Sequence, residues 1–445
     1  MKLRDYQTEL IENVRLQYAA GHNSVVMQLP TGGGKTVTTA YVCKSAADRG
    51  KRVIFCVHRV ELLEQTSATF DGIGLAHGII ASEADYDPAP MTHIASIDTL
   101  RRRLDSVAAP DLLVLDEAHR SLCQSWLKVI KRWPDAKKLL ITATPQRLDG
   151  KGLKNVATSL VLGAKLSRLV DSGHLCDARV FVPDTPDMRG VKTTGGDYQA
   201  EAAAEAMKGI TGNAVEHYKK HCGMERALVF CVTREHSREV VAEFTAAGIA
   251  AAHLDGETPK GERRRIIQAF RDGEILVLSN VALFTEGFDV PDVQAAILLR
   301  PTKSLSLYLQ MCGRALRPAE GKAHAVILDH AGNALRHGHP LQDREWTLEG
   351  KKPREKPKKS VHICPQCFGA FELKKHPEKC PYCGFEKPPP EKKEIEKHAG
   401  ELREITKNTP IKEAKTRADL YAMAKARGYK PGWAWHAAKE MGIWK

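Results

Sequence analysis

The sequence predicts an α/β protein with two parallel-sheet domains, and three features of the chain support this prediction. From residue 1 to about residue 345, apolar runs such as SVVMQLP, DLLVLDEAH and AHAVILDH alternate with helix-sized segments. Continuous Val, Ile and Leu runs of this length indicate parallel strands that are covered on both faces. The alternation breaks at residues 183–206, which are polar and contain glycine, and then resumes. A second, basic and proline-bearing break follows at residues 346–360.

These breaks, together with the cysteine cluster and the charged, proline-bearing spacer after it, divide the chain into seven segments. We predict a first α/β domain over residues 1–180, a connecting segment over 181–206 and a second α/β domain over 207–345. After them the pattern predicts a basic linker over 346–360, a cysteine-bearing module over 361–388, a spacer over 389–410 and a short helical unit over 411–445.

The charge of the chain is concentrated at its end. The 445 residues carry a formal charge of +13, and residues 351–445 hold 23 Lys and Arg against 12 Asp and Glu. A basic appendage on a nearly neutral body favours a polyanion, with nucleic acid ahead of a merely solvated tail. The sequence has no apolar run of 18 residues and no signal-like N-terminus, so we expect a cytoplasmic protein without a membrane segment.

The eleven cysteines fall into two groups. Seven are scattered singly through the α/β body, which is typical of reduced thiols in a cytosolic protein. The other four form two C-x-x-C pairs, Cys364 with Cys367 and Cys380 with Cys383, separated by twelve residues. Pairs with this spacing predict a structural Zn²⁺ site with four thiolate ligands.

A glycine-rich turn between a strand and a helix predicts a phosphate site. In SVVMQLPTGGGKTVTTAYV, Gly32, Gly33 and Gly34 allow backbone N–H groups to close around phosphate oxygens. Lys35 would reach the terminal phosphates, and Thr36 would offer its hydroxyl to Mg²⁺. The strict pattern G-x-x-x-x-G-K-[ST] is not met, because Leu29 stands where its first glycine belongs.

Two carboxylates follow the apolar run DLLVL. Asp116 and Glu117 would lie at the carboxyl end of a strand, beside the crevice where α/β sheets bind ligands. We expect Asp116 to hold Mg²⁺ through water and Glu117 to orient or deprotonate the attacking water.

The segment QMCGRALRP carries two cations that need an anionic partner. Gln310, Arg314 and Arg317 are spaced i, i+4 and i+7, so on a helix they share one face. We therefore expect an anion opposite that face.

Taken together, PTGGGKT, DEAH (116–119), TATP (142–145) and QMCGRALRP resemble the ATPase motifs of superfamily 2 helicases and translocases. The resemblance is to the branch shared by restriction-enzyme motor subunits and XPB-like DNA helicases. Weaker matches follow in the expected order at RDYQ (4–7), CVHRVELLEQ (56–65), VFCVTREHS (229–237) and SNVALFTEGFDVP (279–291). This family implies two tandem RecA-like domains, here followed by a zinc ribbon and a short helical C-terminal unit, with ATP in the cleft between the domains.

The resemblance also implies a role for particular residues. Arg314 and Arg317 would be arginine fingers, and Gln310 would orient water or sense the γ-phosphate. For ATP binding, the resemblance also implies Arg4, Gln7, Thr31, Gly287 and Asp289. For coupling of hydrolysis to movement, it implies His119, Thr142 and Thr144. For contact with nucleic acid, it implies Arg59, Thr233 and Thr285. Each of the last three is equally readable as a helix cap or a surface polar residue.

The predicted function is an ATP-dependent DNA helicase or translocase that uses Mg-ATP. Two alternatives remain open: an RNA helicase or RNA-stimulated ATPase, and a zinc-ribbon nucleic-acid-binding adaptor with an ATPase switch. The motor subunit of a nuclease is disfavoured, because the sequence has no separate nuclease-sized domain. We favour DNA over RNA and consider replication or recombination proteins as partners, while the oligomeric state is not predicted.

The tail leaves two further questions open. The lysines and arginine of residues 351–359 would form a phosphate-tracking arm or a solvated linker. At the end of the chain, Trp433, Trp435 and Trp444 would pack a small core or stack on bases, and core packing is favoured. RGYKPGWA resembles the ends of some phage and prophage helicases, which favours a bacterial or phage-infected host cell.

Overall fold

The structure is a computed structural model of the full chain. It describes residues 2–82, 84–118, 123–146, 150–183, 185–208, 214–283, 293–350, 361–372, 379–386 and 410–443. Residues 1–387 and residues 388–445 form two compact units. Among the described residues, no helix has the length and apolarity needed to cross a membrane.

Helices and strands alternate through the first unit, as the apolar runs predict. The helices of the described residues are α1 Asp5–Ala19, α2 Lys35–Ala47, α3 Val60–Asp71, α4 Ile97–Leu100, α5 Gln124–Arg132, α6 Leu166–Asp171, α7 Ala200–Met207, α8 Ala214–Cys222, α9 Arg234–Ala246, α10 Lys260–Arg271, α11 Leu305–Ala315, α12 Asn333–His337, α13 Arg417–Arg427 and α14 Pro431–Glu440. The strands are β1 Ser24–Gln28, β2 Val53–Val57, β3 Gly78–Ile80, β4 Thr92–Ser96, β5 Leu112–Leu115, β6 Lys137–Thr142, β7 Ser159–Leu162, β8 Asp177–Phe181, β9 Thr193–Thr194, β10 Asp197–Tyr198, β11 Ala227–Phe230, β12 Ala251–Leu254, β13 Val277–Asn280, β14 Ala295–Leu298, β15 His324–Asp329, β16 Val361–Ile363 and β17 Gly369–Glu372.

The first sheet has seven strands in the order β3-β4-β2-β5-β6-β1-β7, and all neighbouring strands are parallel. Its central strands β1 and β2 are buried along their whole length, because helices cover both faces of the sheet. The carboxyl ends of β1, β5 and β6 therefore meet at one edge.

The second sheet has eight strands in the order β12-β13-β11-β14-β15-β8-β17-β16. Strands β12 to β8 are parallel, whereas β17 and β16 join antiparallel. The placement of β8 corrects the boundary predicted at residue 180, because β8 pairs with β15 and not with any strand of the first sheet. Apolar runs reveal a strand but not its neighbour, so the sequence pattern could not assign β8 to a sheet.

The segment predicted to connect the two domains, residues 181–206, is itself partly folded. Strands β9 and β10 form an antiparallel hairpin, and α7 buries Ala203 and Met207 in the core of the second half. Asp197 accepts hydrogen bonds from Thr302 Oγ1 at 2.7 Å and from the Lys303 N–H at 2.7 Å. The segment is thus held against the second half.

The cysteine-bearing module extends the second sheet. Strand β17 pairs with β8, and the Tyr382 hydroxyl donates to the carbonyl of Ala370 at 3.1 Å. The N–H of Val182 donates to the carbonyl of Phe368 at 2.9 Å. The module therefore covers an edge of the sheet that β8 would otherwise expose.

The helical unit predicted at the end of the chain is present. Thr416 and Asp419 form a capping box at the start of α13, and Gly428, with φ of 73°, ends that helix. Leu420, Met423 and Ala434 belong to a small core between α13 and α14. Together with the two parallel sheets and the four clustered cysteines, this confirms the predicted fold class.

Candidate functional site

The glycine-rich turn lies between the end of β1 and the start of α2, as predicted. Gly32 and Gly34 have φ values of 84° and 83°, a backbone conformation that favours glycine. A Cβ atom on Gly34 would lie 2.5 Å from Gln7 Nε2. The side chain of Leu29 is fully buried and its N–H donates to the carbonyl of Thr142 at 3.1 Å. Leu29, which departs from the strict motif, therefore anchors the loop to the core.

The segment RDYQ lies directly on this loop. Gln7 is buried, and its Nε2 donates to the carbonyl of Gly33 at 3.1 Å while its Oε1 accepts the N–H of Arg4 at 2.9 Å. The Tyr6 hydroxyl donates to the same Gly33 carbonyl at 2.9 Å and accepts from Arg4 Nη1 at 3.1 Å. The sequence pattern does not distinguish Tyr6, since an aromatic residue in an amphipathic helix resembles any core residue. The ATP contacts of Arg4 and Gln7 stay predictions.

The two carboxylates follow β5, close to the phosphate loop. Asp116 Oδ1 accepts the N–H of Glu117 at 3.0 Å, and Glu117 has a φ of 52°, which is unusual for a residue with a side chain. Burial and the Glu117 carboxylate raise the pKa of Asp116, while the charges of Lys35 and His58 act in the opposite direction. Asp116 and Lys35 are therefore electrostatic neighbours. His58 joins them although its sequence context gave no such indication.

Thr142 and Thr144 connect the ends of β6 and β1. Thr142 Oγ1 donates to the carbonyl of Thr144 at 2.9 Å and accepts the N–H of Thr144 at 3.1 Å. Gln28 Nε2 donates to the carbonyl of Ala143 at 3.0 Å. Both threonines are buried, so they hold this turn beside the phosphate loop. Their coupling role stays a prediction, and His119 lies outside the described residues.

The helix α11, which carries Gln310 and Arg314, touches the phosphate loop. Its residue Gly313 packs so closely on the loop that a Cβ atom there would lie 2.4 Å from Thr31 Cγ2. Gln310 and Arg314 are buried on this helix, and Gln310 Nε2 has no hydrogen-bond partner among the described residues. The helix begins after the cap Ser304, whose Oγ accepts the N–H of Leu307 at 3.1 Å.

The sequence prediction that residues 310–317 lie on one helix is wrong for Arg317. The helix α11 ends at Ala315 with Leu316 as its C-cap, so Arg317 follows the helix. Lys322 Nζ donates to the Arg317 carbonyl at 3.0 Å, which shapes the turn after the helix. The regular spacing to Arg317 extends beyond the helical backbone, and sequence periodicity does not show where a helix stops.

The residues predicted to contact nucleic acid lie at element ends. Arg59 is the residue before α3, and its Nη2 donates to the carbonyl of Ala282 in the second half at 3.2 Å. Thr233 caps α9, where its Oγ1 accepts the N–H of His236 at 3.2 Å, which realises the cap alternative. Their nucleic-acid contacts stay predictions. Thr285, Gly287 and Asp289 lie outside the described residues.

The four clustered cysteines have the geometry of a metal centre. Their sulfur atoms all lie within 4.8 Å of one another, with 3.7 Å between Cys364 and Cys383 and 3.6 Å between Cys367 and Cys380. Tetrahedral Zn–S bonds of about 2.3 Å require sulfur separations of about 3.8 Å.

The two C-x-x-C turns close in the same way. The N–H of Phe368 donates to the carbonyl of Cys364 at 2.9 Å, and the N–H of Gly384 donates to the carbonyl of Cys380 at 2.9 Å. The N–H of Tyr382 donates to the Cys380 sulfur at 3.4 Å. These donors and the sulfur distances fit a structural Zn²⁺.

Two family models match the two halves of the body. The model for "Type III restriction enzyme, res subunit" matches residues 1–147, and the model for "Helicase conserved C-terminal domain" matches residues 213–319. The first stretch contains the phosphate loop, and the second contains α11 with Arg314.

Curated relatives extend the match along the chain. A 51.5 kDa protein of a Lactococcus phage is 33% identical over 387 residues, covering 86% of this chain and 82% of the relative. IRC3 of Saccharomyces cerevisiae, named as an ATP-dependent helicase, is 32% identical, covering 74% of this chain and 51% of the relative. Rad25 of Haloarcula marismortui, named as a DNA 3'-5' helicase, is 29% identical, covering 75% and 53%. The chain thus spans about half the length of the yeast and archaeal relatives.

Solved structures share the arrangement of the two halves. An HsdR subunit fragment of a type I restriction enzyme from Vibrio vulnificus has a TM-score of 0.61 at 21% identity, covering 76% of this chain and 67% of that chain. The type ISP restriction-modification enzyme LlaBIII bound to DNA has a TM-score of 0.56 at 18% identity, covering 74% and 27%. The likeness shows that the two halves have the tandem RecA-like fold. From its motifs, fold and relatives, the chain belongs to the superfamily 2 helicases, in the branch of the restriction-enzyme motor subunits.

Proposed function

We propose that this protein is an ATP-dependent DNA helicase or translocase that hydrolyses Mg-ATP between its two halves. One observation carries the proposal: Gly313 of α11 packs against Thr31 of the phosphate loop, so the helix bearing Arg314 lies on the site where phosphate would bind. A phosphate in that loop would be approached by charges from two distant parts of the chain. This is the composite site that phosphoryl transfer requires.

The roles of the remaining groups follow from their positions. Lys35, at the start of α2, would contact the terminal phosphates together with the helix N-terminus. Asp116 would hold Mg²⁺, which prefers oxygen ligands and neutralises phosphate charge when bound. Glu117 would orient the attacking water, while Arg314 and Arg317 would stabilise charge that develops on the γ-phosphate.

Coupling to movement would use contacts that join the two halves. The hydrogen bond from Arg59 to the Ala282 carbonyl lies between them, and the Gly313–Thr31 contact closes the cleft. We infer that ATP favours this closed arrangement and that hydrolysis weakens it, so a bound strand is passed from one half to the other.

DNA is the favoured polynucleotide. Rad25, which is 29% identical to this chain, is named as a DNA helicase. LlaBIII, which shares the two-half arrangement with this chain, was solved with DNA. The basic residues beyond position 350 add a general attraction for phosphate backbones. The phage relative and the seven single cysteines favour the cytoplasm of a bacterial or phage-infected cell as its location.

The test is ATP turnover by the full protein with single-stranded DNA, duplex DNA, forked DNA or RNA. We expect DNA to stimulate turnover more than RNA, and Lys35→Ala to lower stimulated turnover by at least ~100-fold. Lys44→Ala, which changes a partly exposed lysine in the same helix, should retain turnover. If no polynucleotide stimulates the parent protein, the motor proposal is wrong.

Strand displacement must be measured separately from turnover. A protein that unwinds forked DNA separates the strands in proportion to the ATP consumed, whereas a duplex translocase consumes ATP without separating them. Stimulation by RNA alone would instead support the RNA helicase alternative. Polynucleotide binding that depends on ATP without either movement or unwinding would support the adaptor alternative.

A further inference from the structure

The helical unit at the end of the chain is a small folded body with an unusual surface. Its core consists largely of small side chains, which allow α13 and α14 to pack closely: Ala414, Leu420, Met423, Ala424, Ala434, Ala437 and Ala438. Trp433 packs against this core, as the sequence predicted. The same prediction is wrong for Trp435, which is exposed and not part of the core, and Trp444 lies outside the described residues.

Three large aromatic side chains are exposed among residues 410–443 of this unit. Tyr421 is 42% exposed, Tyr429 is 49% exposed and Trp435 is 41% exposed. Burying rings of this size usually stabilises a small unit that has little other core. Tyr429 contacts Trp433, with 5.1 Å between the ring centres, whereas Tyr421 and Trp435 expose large aromatic side chains that offer a binding surface.

Cations flank these rings at helical spacing. On α13, the exposed residues Arg417, Tyr421 and Lys425 follow one another at i, i+4 and i+8, so they form one ridge. On α14, Lys439 follows Trp435 at i+4, and its Nζ lies 5.8 Å from the centre of the Trp435 ring. Each helix thus presents an aromatic face beside positive charge. We name the α13 set the tyrosine ridge and the α14 pair the tryptophan ridge.

Negative charge is scarce on these surfaces. Residues 410–443 contain seven Lys and Arg but only three Asp and Glu. The Asp419 carboxylate is engaged at the start of α13, where it accepts the N–H groups of Lys415 at 2.9 Å and Thr416 at 2.8 Å. An anion approaching the tyrosine ridge therefore meets net positive charge, whereas on α14 the exposed Glu440 adjoins Lys439.

We propose that the tyrosine ridge and the tryptophan ridge bind single-stranded nucleic acid, with bases stacked on Tyr421 and Trp435 and phosphates paired with Arg417, Lys425 and Lys439. Stacking on ring faces beside cations is the general mode of sequence-independent strand binding. An acidic protein partner would satisfy the cations but would leave the ring faces without a matching group. The ring and cation pattern therefore favours a polynucleotide over an acidic peptide.

This inference rests on the proposed function and deepens it, because it adds a second polynucleotide site outside the two RecA-like domains. A tethered second site raises the effective concentration of the strand at the motor. Its loss should therefore raise the strand concentration needed for half-maximal ATP turnover, while the maximal turnover at saturating strand is unchanged. A residue of the cleft would instead lower the maximal turnover.

The experiment uses the full protein and measures binding of fluorescent oligo-dT and oligo-U without nucleotide. The double variant Tyr421→Ala with Trp435→Ala should weaken binding at least ~10-fold, since each stacked base contributes roughly five- to 150-fold. The matched double variant Tyr421→Phe with Trp435→Phe should bind like the parent, because the ring faces remain. Arg417→Gln with Lys425→Gln should lower the slope of log affinity against log salt by about 1.5.

The two oligonucleotides distinguish DNA from RNA as the preferred source of the strand. Unchanged binding by the alanine double variant would overturn the proposal, as would competition by polyglutamate that is as effective as competition by unlabelled oligo-dT. A circular dichroism melt with an unchanged α-helical transition shows that the variants are folded. If the alanine double variant loses binding but no polynucleotide stimulates the parent ATPase, the proposed motor function fails and this binding site stands. If stimulation is normal and binding is unchanged, only this inference fails.

Discussion

Each RecA-like half is built on its own, mainly parallel sheet. The polar groups inside the two halves have different partners. In the first half, Gln7, Thr142 and Asp116 all lie around one loop, and each holds or faces the phosphate site. In the second half, Ser237 Oγ lies 2.7 Å from His253 Nδ1, and His253 Nε2 lies 3.1 Å from Asp255 Oδ2.

The second-half network resembles a hydrolase triad only in its residue types. Ser237 is fully buried and also lies 2.6 Å from Ser279 Oγ, so no substrate can reach its hydroxyl. Arg234 completes the group through Asp255 at 3.0 Å. The polar groups of the first half therefore converge on a ligand, whereas this network satisfies its own members and stabilises the second half. From the second half, α11 contacts the phosphate loop through Gly313.

The largest expected effect follows if that single helix supplies the second half's share of the chemistry. Arg314→Ala should lower ATP turnover ~1,000-fold, because an arginine finger contributes mainly to the transition state. Nucleotide affinity, measured by fluorescent ATP binding, should change by less than about fivefold. Arg314→Lys should not restore turnover, since a lysine cannot reproduce the planar guanidinium contact.

A surface arginine provides the control for this variant. Arg168 is exposed and pairs with Glu9, so Arg168→Ala should leave turnover unchanged. Turnover by Arg314→Ala within tenfold of the parent would mean that the first half performs the chemistry alone.

The next largest effect is on hydrogen exchange after Zn²⁺ is removed, which should change in the second sheet and not in the first. Removing Zn²⁺ with a chelator should release β17 from β8 and accelerate hydrogen exchange of the Val182 amide by at least ~100-fold. The amides of β1 should exchange at the same rate as before. Cys380→Ser should reproduce the loss of metal, whereas Cys123→Ser, which changes an exposed single cysteine, should not. Equal acceleration in both sheets would show that the module supports the whole body.

Acid should weaken the second half through its buried histidines. Burial and the neighbouring His217 lower the pKa of His330 to about 3, whereas an unfolded histidine titrates near 6.5. As pH falls through the interval from about 6.5 to 3, the unfolded chain binds a proton that native His330 does not, so the free energy of unfolding decreases. This costs about 2 kcal/mol at pH 5.

The measurement compares urea unfolding at pH 7 and pH 5. His330→Leu should reduce the loss of stability between these two pH values by about 2 kcal/mol, while His436→Leu, at an exposed position, should leave the loss as it is in the parent. His221, whose pKa burial lowers to about 4, adds to the loss in every variant. An unchanged pH dependence in His330→Leu would show that His330 titrates as it does in the unfolded chain.

The smallest effect concerns the contact between the halves. Gly313→Ala places a methyl group where Thr31 already lies, so α11 should shift away from the phosphate loop and ATP turnover should fall about tenfold. Adding Thr31→Ser removes the Cγ2 atom and should recover part of the loss, as a double-mutant cycle would show. Additive losses in the double variant would contradict a direct contact.

The sequence was informative where chemistry is local. The phosphate loop, the strand-end carboxylates and the paired cysteines each lie within a few positions, and their spacing predicts their arrangement. The sequence was silent where distant segments meet. The contact of Tyr6 with Gly33, the approach of His58 to Asp116 and the packing of Gly313 on Thr31 depend on the tertiary fold.

The sequence pattern also did not predict where a helix ends or which sheet a strand joins. The helix expected to reach Arg317 stops at Ala315, and the strand assigned to the first domain pairs with the second sheet. The end of α11 is set by the turn that follows it. The sheet that β8 joins is set by its hydrogen-bonded neighbour β15, which is far away in sequence.

The position of β8 affects how the chain would acquire its structure during synthesis. The ribosome releases β8 long before β15, the strand beside it, because about 140 residues separate the two. The first sheet can close as soon as β7 has emerged, whereas the second must wait with an incomplete edge until its last parallel strand appears. A fragment intended to represent the second half should therefore begin before Asp177, since one that starts at the polar break would lack an interior strand and tend to aggregate.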